Sequence, residues 1–227
     1  KLRRPALLRH VAEIHPEQAP ELFKLVKETS AYLNAPVPDH ILLTEEFNAA
    51  VVTLPKYGIF GKRVYLIVGL PLMQAVSVDQ FRAILAHETG HISRRHGRFA
   101  TWIYRVQETW GRFLEQQETA GGGLSFLYER FAKWYFPYFR AYSFVLCRNH
   151  EREADAYAVQ FVGARPLGES LINLDIKSRN ISQTFWKEVL DEAGREKTPP
   201  KEVFTRMANA FRQSNPAQDW KNLASAV

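Results

Sequence analysis

The sequence predicts an α+β fold that is mainly helical, on three observations. Candidate strands are confined to one stretch, residues 41–68, and helical periodicity runs on both sides of it. Strand and helix patterns do not alternate along the chain, which excludes a doubly wound sheet. The clearest helix start, Ser77 followed by Gln80 in a capping-box pattern, comes directly after the strands.

Taken in order, residues 16–33 read as an amphipathic helix with Leu22, Val26, Thr29 and Leu33 on one side, stopped by Pro36 and Pro38. Ile41 to Thr44, Ala49 to Leu54 and Arg63 to Val68 are β-branched or apolar and read as strands of a small antiparallel sheet. The strand at Val64 to Val68 is expected at the edge, open to pairing. The helix that starts after Ser77 should reach about His96, with Gly97 as its cap. Helical, aromatic-rich sequence continues to Gln117, and Gly121-Gly122-Gly123 reads as a break.

From Leu124 to Gly163 the pattern is helical again, interrupted by Pro137. The run from Trp134 to Phe144 is aromatic and flanked by Arg130, Lys133, Arg140 and Arg148. It fits either core packing or an interfacial patch. Residues 166–227 read as two or three further helices. The expectation is one domain over 1–227, with a core at about 20–165 and a helical C-terminal part from 166.

Bulk properties narrow the function class. Hydrophobic residues make up 46% and charged residues 24% of the 227, an ordinary balance for a folded soluble chain. The single cysteine, Cys147, excludes an internal disulfide framework. The +6 formal charge suits solubility, and although Arg94, Arg95 and Arg98 cluster, no nucleic-acid motif accompanies them. The longest uncharged stretch, Val64 to Val78, is well short of the roughly 20 apolar residues that a spanning helix needs.

Chemistry concentrates in two places. His87-Glu88-Thr89-Gly90-His91 is the pattern H-E-x-x-H. Two histidines four apart on a helix differ by about 40° in direction, so both imidazoles can reach one zinc ion at roughly 2.0–2.1 Å. Glu88 lies beside them, set to hold a water as general base. A catalytic zinc wants a third protein ligand. Glu151 and Asp155, again four apart, share one helical face. The first can bind the metal while the second braces a metal-bound histidine.

With Gly90, and with Arg148, Glu151, Ala154 and Asp155 in register, the chain resembles the HtpX-like and CAAX-prenyl-protease-type gluzincin metallopeptidases. Their signature is H-E-x-G-H followed by S-R-x-x-E-x-x-A-D, and Cys147 stands here in place of the serine. Register selects Glu151 over Glu153 as third ligand. Asn48-Ala49-Ala50, Gly69-Leu70 and the run Asp79 to Leu85 match the family's approach to the motif, and His96 matches a histidine found there. Thr198-Pro199-Pro200 with Arg206 resembles a later family segment whose histidine is absent. The resemblance covers roughly residues 20–212 and implies a zincin-like domain built around the helix that carries H-E-x-x-H.

The resemblance further implies one Zn2+ per chain, held by His87, His91 and Glu151, with Glu88 as general base and Asp155 orienting His87. His150 and Arg148 are candidates for the oxyanion. The expected partner is an unfolded or extended polypeptide, and no nucleic acid. Family members commonly carry transmembrane helices, so the full-length protein is expected to be membrane-associated through segments outside this sequence, which itself is expected to be soluble. The rival reading is a catalytically silent, chaperone-like or binding module on the same zinc fold. Intact Glu88 argues against it.

Overall fold

The computed structural model describes residues 11–57, 60–93, 125–195 and 201–213. Its sheet has four strands: β1 (Ala12–Ile14), β2 (His40–Thr44), β3 (Ala49–Tyr57) and β4 (Phe60–Gly69), in the order β1-β2-β4-β3. The helices are α1 (Pro20–Tyr32), α2 (Leu70–Ala75), α3 (Val78–Ser93), α4 (Ser125–Val162), α5 (Ala164–Asn180), α6 (Trp186–Arg195) and α7 (Val203–Gln213). A π-helical segment, Ile181–Phe185, joins α5 to α6.

The sheet is small, as expected, but mixed. β3 and β4 form an antiparallel pair, β1 pairs antiparallel to β2, and β2 runs parallel to β4. β4 is therefore central, not at the edge, and β3 is an edge strand. The reason is visible in the burial of β4, where Leu66, Ile67 and Val68 are buried in succession. A strand covered on both faces loses its alternation and sits inside the sheet.

Inserting β4 between β2 and β3 forces the short link 45–48 to cross its end. A Cβ at Gly69 would lie 1.6 Å from the Glu46 carbonyl oxygen, and the Gly69 N–H donates to the Asn48 carbonyl at 2.8 Å. Any side chain there would displace backbone, so Gly69 is a requirement of the topology.

α1 begins with Pro20 in its first turn, where the missing N–H costs nothing. It stops ahead of the prolines, at Asn34, whose φ of 50° is the left-handed turn that ends many helices. At α3 the capping box is realised. The Gln80 N–H donates to the Ser77 hydroxyl and the Ser77 N–H to the Gln80 side chain, both at 3.2 Å.

α3 is the axis of the molecule. Phe81 and Leu85 join Leu22, Val26, Val51 and Leu66 in a core between α1, α3 and the sheet. Its Ala83 and Ala86 face Ala158 of α4 and Leu167 of α5, and Ile84 packs with Leu72 of α2 and Ala49 of β3. A helix apolar on so many sides is a buried one. The C-terminal helices close the other end, where Ala75, Ile181, Met207 and Phe211 form a separate cluster. Lys177 and Asn173 of α5 both donate to the Ala75 carbonyl, satisfying the end of α2.

α4 passes through Pro137 without ending. Among the described residues the C-terminal part holds three helices, α5 to α7, within the two or three expected. The expected extension of α3 to His96, the helix to Gln117, the triple-glycine break and Thr198-Pro199-Pro200 lie outside the described residues.

Candidate metal centre

The site forms where α3 and α4 cross. The crossing is close because both helices are small there. A Cβ on Gly90 would stand 3.3 Å from the Ala154 Cα and 3.3 Å from Tyr157 Cδ2, and Ala154 is itself buried. The Gly90 and Ala154 of the two sequence motifs are thus the contact that lets the helices approach. Next to it, at His91 and Asp155, and one turn before it, at His87 and Glu151, the polar residues meet.

His87 Nε2 lies 3.2 Å from His91 Nε2 and 3.3 Å from Glu151 Oε2. His91 Nε2 lies 3.7 Å from the same carboxylate oxygen. The two imidazole rings stand edge to face, 4.8 Å between centroids. On its other side, His87 Nδ1 is 3.0 Å from Asp155 Oδ1. A carboxylate only accepts, so the proton of His87 belongs on Nδ1 and Nε2 keeps its lone pair.

These distances test whether a metal fits. Ligands about 2.0–2.1 Å from a tetrahedral zinc are spaced roughly 3.3–3.4 Å from one another. The observed edges of 3.2, 3.3 and 3.7 Å have that size. Two imidazole nitrogens and a carboxylate oxygen are also a donor set that zinc accepts. The residues present fit the ion, and among the described residues His87, His91 and Glu151 are the one group of donors close enough to share it.

Burial and electrostatics agree with that chemistry. Burial is the largest influence on His91 and pushes its pKa below the usual histidine value; the nearby charge of His87 pushes the same way, and Glu151 opposes. A neutral imidazole is the form that binds metal. Glu88, half-buried on α3, has its carboxyl pushed up to about 7, chiefly by desolvation; His87 pulls it down, Glu151 raises it, and a backbone hydrogen bond from Val51 lowers it. Val51 belongs to β3, so Glu88 sits against an edge strand.

All five residues singled out at the motifs therefore come together: His87, Glu88, His91, Glu151 and Asp155. Of the two oxyanion candidates, His150 is half-buried and its charge reaches His91, whereas Arg148 is exposed. Arg206 pairs with Glu192 of α6 at 2.7 Å. What the sequence reading missed is backbone: the edge of β3 beside Glu88. The succession of apolar residues in β4 was the signal that could have found it, by marking β4 as central.

Among the described residues no helix is long and apolar enough to cross a membrane. Comparisons with curated proteins and with solved structures returned no match. Peptidase family M48 matches residues 16–220, which include both motifs and every helix and strand from α1 to α7, and the chain belongs to that peptidase family.

Proposed function

We propose that this chain is a zinc-dependent endopeptidase acting on unfolded or extended polypeptides. The observation that carries the reading is the triangle of donor atoms on His87, His91 and Glu151, with Glu88 on the same helix as the histidines. Those three residues would hold the zinc. Once bound, the ion would lower the pKa of a water and polarise the scissile carbonyl.

The remaining steps belong to side chains of this chain. The Glu88 carboxylate takes a proton from the attacking water and returns it to the leaving amine nitrogen. A carboxyl pushed up to about 7 is matched to both acts, since it can accept and release a proton near neutral pH. Asp155 accepts the Nδ1–H of His87, which fixes the ring and its tautomer. The outer edge of β3 offers main-chain groups next to Glu88, and an extended peptide would pair there as an added strand. Such pairing recognises backbone, which favours extended polypeptide over a folded surface. His150 is the better-situated oxyanion contact of the two candidates.

The test is metal content by mass spectrometry together with casein cleavage, for the native chain and for Glu88→Gln. Stoichiometric zinc in both, with cleavage lost in the variant, is the expected result. Zinc without cleavage in either would favour the silent binding module. Absence of zinc from the purified native chain, and no uptake on adding it, would refute the proposal.

A further inference from the structure

Among the described residues, the N-terminal half of α4 carries two apolar faces, and only one of them is packed. At about 100° per residue, Phe136, Phe139, Ser143 and Leu146 fall on one side of the helix, and they are half-buried or buried. About 110° round the helix from it lies a second stripe: Phe131, Trp134, Tyr135, Tyr138, Tyr142 and Val145. These are 48, 62, 42, 63, 79 and 57% exposed. So much open aromatic surface on one helix is not the scatter of single apolar residues that soluble surfaces tolerate.

The stripe is ordered and bordered by cations. Phe131 stacks on Tyr135 with centroids 5.6 Å apart, and Trp134 lies against Tyr138 at 5.8 Å. Arg130, Lys133, Arg140 and Arg148 fall together along one flank of it, within an arc of roughly 80°. Between 125 and 149 the sequence holds these four basic side chains and a single acidic one, Glu129.

We propose that this face of α4 binds the headgroup layer of an anionic lipid bilayer, with the helix lying in the plane of the membrane surface. The composition selects that occupant. Tryptophan and tyrosine have an apolar body and a polar tip, which suits the boundary between acyl chains and headgroups. Arginine and lysine alongside them meet lipid phosphates while their stems cover apolar surface. Between 125 and 149 cations outnumber acids four to one and all lie on one flank, an imbalance that suits a surface of lipid phosphates. The same cations keep the helix from crossing the bilayer. Because α4 also bears Glu151, on a face roughly 150° from the stripe, docking would hold the metal centre on the side of the helix turned away from the membrane.

The experiment is flotation of the full chain with phosphatidylcholine vesicles containing about 30 mol% phosphatidylserine, against vesicles of phosphatidylcholine alone. The native chain should float with the anionic vesicles and far less with the neutral ones. Trp134→Ser/Tyr138→Ser/Tyr142→Ser should keep the native circular dichroism and bind at least about tenfold more weakly. Arg130→Gln/Lys133→Gln/Arg140→Gln changes exposed cations only, and should weaken binding by about fivefold per charge removed. Failure of the native chain to bind anionic vesicles would overturn the proposal, as would binding unchanged in both variants. Dimerisation that is abolished by the aromatic substitutions, without vesicle binding, would overturn it in favour of a second copy. None of these readouts depends on peptidase activity, so they stand apart from the proposed chemistry.

Discussion

The two halves of α4 are built from one continuous helix and do opposite things. In the half that follows Cys147, Ala154 and Ala158 are buried against α3, and Glu151 and Asp155 beside them meet His87 and His91. In the half before it, large aromatics stand in solvent. The difference is one of residue size at the contact. Small residues at Gly90 and Ala154 allow backbones to approach, and carboxylates one turn away then fall within reach of the partner helix. The aromatic half carries large rings on more than one side, and among the described residues it keeps an open face. Close packing makes the site, and its absence makes a surface.

If the close half is what holds the donors together, breaking its polar contacts should produce the largest effects. Glu151→Ala removes the only donor that α4 contributes to the triangle, leaving two histidines for the ion. Peptidase activity should fall by more than the 10- to 100-fold that an outer hydrogen-bond partner is worth. Zinc titration should show the matching loss of affinity with thermal stability little changed, since Glu151 is half exposed at 50%. Retained tight zinc binding in Glu151→Ala would move the third donor elsewhere.

Asp155→Asn is the next step down. The amide is nearly isosteric but can turn its NH2 toward His87 Nδ1, which would favour the wrong tautomer. Activity should fall about 10- to 100-fold while zinc is still bound. An unaffected rate would mean that the 3.0 Å contact does not orient His87.

How much of this was legible in the sequence follows from what each feature depends on. The site was legible because helical spacing is local: His87 with His91, and Glu151 with Asp155, are each fixed by one turn of helix. Their meeting was legible only through the resemblance, because nothing local says that two helices separated by a long segment will cross at Gly90 and Ala154. The strands were found within a few residues of their observed ends, but their order was not. That order rests on the link 45–48 passing over Gly69, a non-local contact between backbone groups. β1 escaped notice because three residues with largely exposed side chains carry no period. The aromatic run of α4 fitted two readings at once, and the structure divides it by face: Phe136 and Phe139 are half-buried, while Trp134, Tyr138 and Tyr142 stand open.

A subtler change probes the crossing itself. Gly90→Ala adds a methyl 3.3 Å from Ala154 Cα and Tyr157 Cδ2, tighter than a relaxed contact. Alanine gains up to about 1 kcal/mol of helix propensity over glycine, and overpacking costs about 1–3 kcal/mol. The net is a destabilisation of no more than about 2 kcal/mol, so the melting temperature should fall by only a few degrees. Relief of the contact must nonetheless widen the crossing by a few tenths of an ångström, and the donor edges widen with it. Zinc affinity, read by competition with a chromophoric chelator, should therefore drop about tenfold. A variant as tight as the native chain would show that the donors do not depend on this contact.

The smallest expected effect belongs to the open half. Tyr142 is 79% exposed, so Tyr142→Ser removes almost no buried area. Stability in urea should change by no more than about 0.5 kcal/mol, and zinc affinity not at all. The same truncation in the close half, at a buried position, would open a cavity and cost several kcal/mol. The contrast is what makes the measurement informative. If Tyr142→Ser cost as much as a core truncation, the aromatic stripe would be packed in solution against part of the chain itself. The two halves of α4 would then differ in chemistry but not in burial, and the size of residue at the contact would no longer explain which half carries the site.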